Sequence, residues 1–199
     1  MDKRQQSGEI YYETKINNAV CPVLPGHHKV IHTAGLALTT LLGSCVAACI
    51  RDKNSTTGGM NHFLLPTGGA HGGICYSTRY GVNAMEVLIN DILGNGASKS
   101  QLEIKVFGGA DLIPTQGSPS IGQRNSDFVL EYLKNENLTV VASDLGGNRA
   151  RRIFYFPENG NVRVRYLDEQ QSAAHTQEER RLERVVHSGI SRSNQVELF

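Results

Sequence analysis

The spacing of apolar residues changes period several times along the chain, which is typical of a protein that mixes strands and helices. Seven segments are rich in β-forming residues or alternate apolar with polar positions, and they predict strands. These segments are HKVIHTAGLAL, SCVAACIRD, GGMNHFLLP, QLEIKVFGGA, LTVVASDLGG, ARRIFYF and NVRVRYL. The polar segment KNSTTG predicts a turn that joins SCVAACIRD and GGMNHFLLP into a hairpin, and PENG predicts another turn.

Two further segments place apolar residues three and four positions apart, which is the spacing of an amphipathic helix. In YGVNAMEVLINDILGNG the apolar face is formed by Met85, Leu88, Ile89, Ile92 and Leu93. In NSDFVLEYLKNEN it is formed by Phe128, Val129, Tyr132 and Leu133. Gly94 is expected to end the first helix. The predicted fold class is α/β, with mixed sheets packed together and helices on the outside, although periodicity does not set the strand order.

Length and composition favour a single domain with two polar ends. The chain has 199 residues, of which 39% are hydrophobic, enough for one core but not for two full domains. Residues 1–14 are predicted to form a flexible N-terminal arm. Residues 168–199, which include TQEERRLERVVHSG, are predicted to form a polar, charged C-terminal tail. The folded body is therefore expected to span residues 15–167.

Charge and hydropathy argue against several classes of partner. The formal net charge is +1, so no overall field favours nucleic acid or an anionic membrane. No apolar run approaches the roughly 20 residues of a membrane span, and no stretch has the features of a signal peptide. We therefore expect no nucleic-acid partner, no membrane insertion and a cytoplasmic location.

The cysteines and histidines do not form a pattern that predicts a metal or a cofactor. The four cysteines contain no CxxC pair, so structural zinc is not expected. His27, His28 and His32 are interpreted as part of a solvated loop, because no carboxylate cluster lies near them in the sequence. The glycine-rich GGAHGG lacks the Lys-Ser/Thr end of a phosphate-binding loop and is interpreted as a mobile loop.

For two other charged features, we favour a structural interpretation over a functional one. RARR, at residues 149–152, is expected to be a solvated strand edge, with a basic patch for a partner as the alternative. Asp144 is expected to be a turn residue rather than a general base.

The candidate chemistry lies in the segment TTLLGSCVAACIRDKNSTTGGMNHFLLP. If its two apolar runs pair antiparallel around KNSTTG, Cys45 and His62 become near neighbours, because opposed Cβ atoms lie roughly 4.5–5.5 Å apart. A histidine beside a thiol can take its proton, and the resulting thiolate is a much better nucleophile. The alternative is that both are ordinary residents of a buried hairpin, as Cys49 and Cys75 are expected to be small core residues.

The residues before Cys45 fit the catalytic interpretation. Gly43 permits an unusual backbone conformation and leaves room for a substrate to approach. Backbone amides at Gly43 and Ser44 are candidate donors to the oxyanion that forms when a thiolate attacks a carbonyl. The spacing of these residues does not by itself decide between the two interpretations.

Five motifs, in this order along the chain, resemble the CheD family of chemoreceptor glutamine deamidases: LGSCVAACIRD, GGMNHFLLP, KVFGGA, IGQRN and DLGG. The resemblance covers roughly residues 15–167. It implies a cysteine hydrolase that converts receptor glutamine side chains to glutamate and releases ammonia. It also implies a sheet sandwich flanked by helices.

The catalytic set implied by the resemblance is a Thr, a Cys and a His, which match Thr39, Cys45 and His62. Thr39 would hold the imidazole of His62 in the productive tautomer. The assignment rests on the six-residue step from Thr39 to Cys45, and the adjacent Thr40 is the alternative.

The partners implied by the resemblance are the helical cytoplasmic region of chemoreceptors, as substrate, and a CheC-type phosphatase. Two other functions stay open. One is a non-catalytic module that regulates a CheC-type phosphatase and in which Cys45 is inert. The other is a cysteine peptidase or transglutaminase-like enzyme that uses the same nucleophile.

Overall fold

A computed structural model describes residues 8–65, 73–112, 119–168 and 171–172, with side chains in the first helix described from residue 79 onward. Four of the sequence predictions concern parts that lie outside the described residues. These are residues 1–7 of the predicted arm, most of the C-terminal tail, the glycine-rich segment around His71, and the side chain of Cys75.

The described residues form ten strands, two α-helices and one short 3-10 turn at Lys99–Gln101. The strands are β1 (Tyr11–Glu13), β2 (Asn18–Pro22), β3 (His28–Ile31), β4 (Leu36–Leu42), β5 (Val46–Asp52), β6 (Gly58–Asn61), β7 (Leu102–Gly108), β8 (Val140–Leu145), β9 (Arg151–Phe156) and β10 (Asn161–Tyr166). The helices are α1 (Gly73–Gly94) and α2 (Ile121–Asn135).

The strands form two five-stranded sheets, which we name sheet A and sheet B. Sheet A has the order β1-β2-β4-β9-β10, and sheet B has the order β3-β6-β5-β7-β8. Each sheet is mixed, because β2 pairs parallel with β4 and β7 pairs parallel with β8, while the other pairs are antiparallel. Both helices contact strands of sheet B. The predicted α/β sandwich with outer helices is therefore confirmed.

Strand β5 is buried on both of its faces, which explains why SCVAACIRD is a nearly continuous apolar run. One face packs with α1 and α2 into a helix-side core that includes Val46, Ala48 and Ile50. The opposite face packs against sheet A in a layer that we name the inter-sheet core. Its buried members are Cys21, Val23, Ile31, Leu38, Leu42, Cys45, Ala47, Cys49, Met60, Phe107, Ile153 and Tyr155.

Both helices bury the faces that their apolar spacing predicts. Met85, Leu88 and Ile92 on α1 are fully buried, and α1 ends at Gly94 as expected. The N-terminus of α2 is capped by Ser120, whose side chain accepts a hydrogen bond from the Gln123 amide. No helix in the described ranges is both long enough and apolar enough to span a bilayer.

The predicted flexible arm is wrong where it includes residues 11–13. These residues form β1, which pairs antiparallel with β2, a strand that the sequence did not predict. Asn17 makes the intervening turn with a φ of 54°, and its side-chain oxygen accepts a hydrogen bond of 2.7 Å from the Tyr12 hydroxyl. A local turn therefore ties this segment to the edge of sheet A.

Candidate active site

The two residues predicted to form a nucleophile and its base flank the hairpin of β5 and β6: Cys45 directly precedes β5, and His62 directly follows β6. Cys49 faces Met60, and an isolated bridge places Val46 opposite Phe63. In this register Cys45 and His62 are diagonal neighbours, so the predicted direct pairing of these two residues is wrong by two positions. Diagonal positions on one face of a sheet lie roughly 7–8 Å apart, still within reach of long side chains.

The two-residue difference keeps Cys45 and His62 on the same face of sheet B, because side chains alternate with a period of two. Val46 and Phe63 point into the helix-side core, whereas Cys45 points into the inter-sheet core. Cys45 is 3% exposed and His62 is 2% exposed. The expectation of an open approach to the thiol is therefore wrong in this structure, because the thiol packs between the two sheets.

The imidazole of His62 contacts a threonine of sheet A. Oγ1 of Thr40 lies 2.7 Å from Nδ1 of His62 and also donates a hydrogen bond of 2.8 Å to the carbonyl of Val23. A hydroxyl has one proton, which is used by Val23, so Thr40 accepts from His62. His62 is therefore protonated at Nδ1, and its Nε2 carries the lone pair that a base requires.

The neighbouring Thr39 has a different partner. Its hydroxyl donates a hydrogen bond of 2.8 Å to the carbonyl of Ile153, on the adjacent strand of sheet A. Leu38 and Leu42 belong to the inter-sheet core, so Thr40 shares their face of β4 and Thr39 lies on the opposite face. The predicted contact of Thr39 with His62 is corrected to Thr40.

His62 is held in place through its backbone and through the preceding residue. Its amide donates to the carbonyl of His27 at 2.9 Å, and its carbonyl accepts from Gly26 at 2.7 Å. Asn61 is 1% exposed, and its side-chain oxygen accepts a hydrogen bond of 2.9 Å from the Ala48 amide. The Asn61 side-chain oxygen thus takes the place of a backbone carbonyl as the acceptor for the Ala48 amide, between β5 and β6. The backbone of His62 instead pairs with the segment before β3.

The loop that precedes Cys45 is anchored through its carbonyl groups. The carbonyl of Gly43 accepts a hydrogen bond of 2.7 Å from the Ala110 amide. The carbonyl of Cys45 accepts one of 2.7 Å from the Gly109 amide. In a trans peptide the carbonyl and the following N–H point in opposite directions. The Ser44 amide therefore points away from Ala110.

The carbonyl between these two is held by a side chain from α2. Nδ2 of Asn125 donates a hydrogen bond of 2.8 Å to the carbonyl of Ser44. Oδ1 of Asn125 accepts one of 2.8 Å from the amide of Leu65, beyond His62. Asn125 is fully buried and links the loop before the thiol to the segment after the histidine.

Two glycine-containing motifs, FGGA and DLGG, pack around this loop. Glycine has no Cβ, so these motifs leave space for the backbone of the loop. A Cβ at Gly108, which has a φ of 113°, would lie 2.1 Å from the carbonyl oxygen of Cys45. The Gly146 amide donates to the carbonyl of Gly108 at 3.0 Å, and the Asp111 amide donates to the carbonyl of Gly147 at 2.7 Å. FGGA and DLGG, which are distant in sequence, therefore meet beside the cysteine.

The sequence pattern does not predict these contacts of Asn125, although IGQRN is one of the five motifs. Asn125 precedes Val129 by four residues, so it lies on the apolar face of α2. A polar residue on the buried stripe of an amphipathic helix requires a hydrogen-bond partner. The position of Asn125 on the buried face of α2 therefore indicates a buried hydrogen bond. It does not identify the partners, because they are distant in the sequence.

The other described cysteines are poor nucleophiles. Cys49 is 1% exposed, and burial raises the pKa of its thiol far above the usual range. Burial also raises the pKa of Cys21, while the charge of Lys29 opposes this effect. The expectation that Cys49 is a small core residue is confirmed by its place in the inter-sheet core.

The three histidines of the predicted loop have separate neighbours. Nδ1 of His27 contacts the Pro25 carbonyl at 3.0 Å, and Nε2 of His28 lies 3.3 Å from a carboxylate oxygen of Asp91. Nδ1 of His32 contacts a hydroxyl at 3.4 Å. Within the described ranges, no three His, Cys, Asp or Glu residues are grouped so that they could hold a metal ion.

The interpretation of RARR as a solvated edge is wrong for Arg151, which is 1% exposed. Its guanidinium donates to the carbonyl and the carboxylate of Asp144 at 2.7 and 2.6 Å, and also to the carbonyl of Gly146. Asp144 is at the end of β8 and accepts a further hydrogen bond from the Tyr166 hydroxyl. This ion pair, between a buried guanidinium and a partly exposed carboxylate, holds the DLGG segment beside the loop that precedes Cys45.

The chain matches a family model and has a weak similarity to a solved structure. A model of the CheD family, described as CheD chemotactic sensory transduction, matches residues 64–166. Among solved structures, a Neisseria meningitidis protein described as family-model DUF152 has a TM-score of 0.40 and 12% sequence identity. That similarity covers 69% of this chain and 61% of the other, and its score is too low to assign a shared fold.

Curated relatives cover most of the chain, and three of them carry the name "Probable chemoreceptor glutamine deamidase CheD". The Bordetella avium protein is 48% identical over 79% of this chain and 70% of its own length. The Ralstonia pickettii protein is 47% identical over 84% and 71%. The Janthinobacterium protein is 41% identical over 100% of this chain and 98% of its own length. By family match, identity and coverage together, this chain belongs to the CheD family.

Proposed function

We propose that this protein is a chemoreceptor glutamine deamidase, which hydrolyses the side-chain amides of receptor glutamines to glutamate and ammonia. The names of its relatives support the substrate and the reaction. The observation that carries the chemistry is the contact between Thr40 and Nδ1 of His62, because it leaves Nε2 as a base on the face that carries Cys45.

In the first half of the reaction, Nε2 of His62 takes the proton of the Cys45 thiol. The thiolate then attacks the amide carbon of the glutamine and forms a tetrahedral oxyanion. The backbone amides of the Gly43–Cys45 loop are the candidate donors to this oxyanion. The carbonyl groups of this loop are hydrogen-bonded to neighbouring segments, and the N–H of each peptide points away from the carbonyl of the same peptide. The imidazolium of His62 gives its proton to the leaving nitrogen, and ammonia departs from a thioester.

In the second half, water replaces ammonia. Nε2 of His62 takes a proton from the water as its oxygen attacks the thioester carbon. The second tetrahedral intermediate collapses, the C–S bond breaks, and the thiolate of Cys45 recovers the proton from His62. The product is a glutamate side chain. Thr40 accepts a hydrogen bond from Nδ1 throughout, which keeps the imidazole in one orientation.

The deciding experiment incubates the protein with a purified cytoplasmic fragment of a chemoreceptor. Ammonia release is measured, and each converted glutamine is identified by its mass increase of about one dalton. Cys45→Ala is expected to abolish both signals because no thioester forms. Cys49→Ala is the matched control, since it removes a thiol from β5, the strand that follows Cys45, and should keep activity. Full deamidation by folded Cys45→Ala would reject the cysteine mechanism.

The product also separates this reaction from the rival cysteine chemistries. A peptidase would cut the fragment, and a transglutaminase would attach an added amine with loss of ammonia. A deamidase leaves the chain intact and incorporates one oxygen from water. Carrying out the reaction in ¹⁸O-labelled water therefore identifies the hydrolysis.

The location and the second partner are part of the same proposal. A cytoplasmic location fits a substrate that is the helical cytoplasmic region of a receptor. A CheC-type phosphatase is proposed as a binding partner on the resemblance to the family. Co-purification of a CheC-type phosphatase with this chain tests that interaction, and cell fractionation tests the location.

A further inference from the structure

Asn125 is a buried polar side chain of α2 that has partners on both sides of the candidate active site. Its Nδ2 donates to the Ser44 carbonyl at 2.8 Å, and its Oδ1 accepts from the Leu65 amide at 2.8 Å. Both polar atoms of the side chain are therefore used, and both partners are backbone groups. A side chain fixed at both atoms restrains the orientation of the groups that it binds.

The contact with Ser44 determines the direction of the following amide. The peptide bond is planar and trans, so the Ser44 carbonyl and the Cys45 N–H point in opposite directions. The Ser44 carbonyl points toward Asn125, and the N–H of Cys45 therefore points away from α2. The next peptide is held as well, because the Cys45 carbonyl accepts from the Gly109 amide at 2.7 Å.

We propose that Asn125 is a positioning residue that aims the amide of Cys45 at the oxyanion of the tetrahedral intermediate. This inference rests on the proposed function, because an oxyanion forms at this place only if Cys45 is the nucleophile. A donor held in its final direction stabilises developing charge without reorganising during the reaction. Asn125 supplies that restraint from outside the reacting groups.

The anchoring of α2 supports this role. Gly122 lies so close to the Gly109–Ala110 backbone that an added Cβ would be 2.4 Å from the Gly109 carbonyl oxygen. The helix and the loop that binds the Cys45 carbonyl are therefore packed directly together. Asn125 lies one turn further along the same helix, so its amide group approaches Ser44 from a fixed platform.

The test uses Asn125→Asp, which keeps the size of the side chain and an acceptor for the Leu65 amide but removes the donor to Ser44. Asn125→Ala is the second variant, because it places no charge in a buried site. Val129→Ala is the matched control, since it truncates a fully buried residue on the same face of α2. All three are assayed well below their melting temperatures.

Two rates are measured for each protein. The first is deamidation of a chemoreceptor cytoplasmic fragment, with kcat and KM determined separately. The second is alkylation of Cys45 by iodoacetamide, followed by peptide mass mapping. Alkylation displaces iodide at a methylene carbon and forms no oxyanion, so it reports the thiol and His62 without the proposed donor.

The expected result is a fall in kcat of at least about tenfold for both Asn125 variants, with KM and the alkylation rate close to those of the native protein. Val129→Ala should lower the melting temperature and leave kcat unchanged. The proposal is overturned if folded Asn125 variants keep their kcat, or if kcat and alkylation fall together. It is also overturned if neither variant folds at 10 °C, because Asn125 then serves the fold alone.

The controls separate this proposal from the proposed function. If Cys45→Ala retains deamidation, the cysteine mechanism fails whatever the Asn125 variants do. If Cys45→Ala is inactive and Asn125→Asp is fully active, only the positioning role fails.

Discussion

Replacing Thr40 by Val removes one hydroxyl while it preserves the shape of the side chain. The hydroxyl accepts from His62 at 2.7 Å and donates to the Val23 carbonyl at 2.8 Å. The variant therefore leaves two buried polar groups without this partner, at a cost of roughly 1–3 kcal/mol each. We expect a lower melting temperature and a folded protein, since small domains have about 5–15 kcal/mol of stability.

The loss of activity follows from the same hydrogen bond. Without Thr40 as an acceptor, His62 loses the contact that keeps the proton on Nδ1 and the lone pair on Nε2. A buried hydrogen bond worth about 1–3 kcal/mol corresponds to a roughly 5- to 150-fold change in rate. Ammonia release from a receptor fragment is therefore expected to fall by that factor in Thr40→Val.

Two matched variants make the prediction specific. Thr40→Ser restores the hydroxyl and should recover turnover to within about threefold. Thr39→Val removes the neighbouring hydroxyl, whose partner is the Ile153 carbonyl, and should reduce stability more than turnover. If Thr39→Val loses activity while Thr40→Val keeps it, the orientation of His62 does not depend on the observed contact.

Three further predictions concern the thiols, the ion pair of Arg151 with Asp144, and the tail. Iodoacetamide should label Cys45 before Cys49, because Cys45 precedes β5 beside the Gly43–Ser44 loop, whereas Cys49 lies within that strand and burial raises its pKa; peptide mass mapping checks the order, and faster labelling of Cys49 would refute the assignment. Arg151→Met should destabilise the protein by roughly 2–4 kcal/mol in urea unfolding, since it removes the guanidinium hydrogen bonds to the carbonyls of Asp144 and Gly146 together with the ion pair; a change below about 0.5 kcal/mol would contradict this role. Truncation after Arg180 should preserve cooperative unfolding, because the last described strand ends at Tyr166, before the removed segment, and a non-cooperative thermal melt would show the opposite.

Local patterns in the sequence were sufficient to predict much of the fold. The apolar stripes of both helices, the hairpin around KNSTTG and the strands after α2 all appear in the structure. These features depend on neighbours a few residues apart, whose periodicity is visible in one dimension. The shared face of Cys45 and His62 also follows from a two-residue period, which is why a register error of two positions did not separate them.

Only the tertiary structure decided which groups complete the site. Thr39 and Thr40 are adjacent, and they point to opposite sides of β4. The choice between them depends on which face of sheet A packs against sheet B. Asn125 reaches Ser44 across a sequence separation of 81 residues, and its partners are backbone groups that have no sequence signature. Periodicity identifies which face of an element is buried, but the partner of a buried polar atom is set by the packing of elements that are distant along the chain.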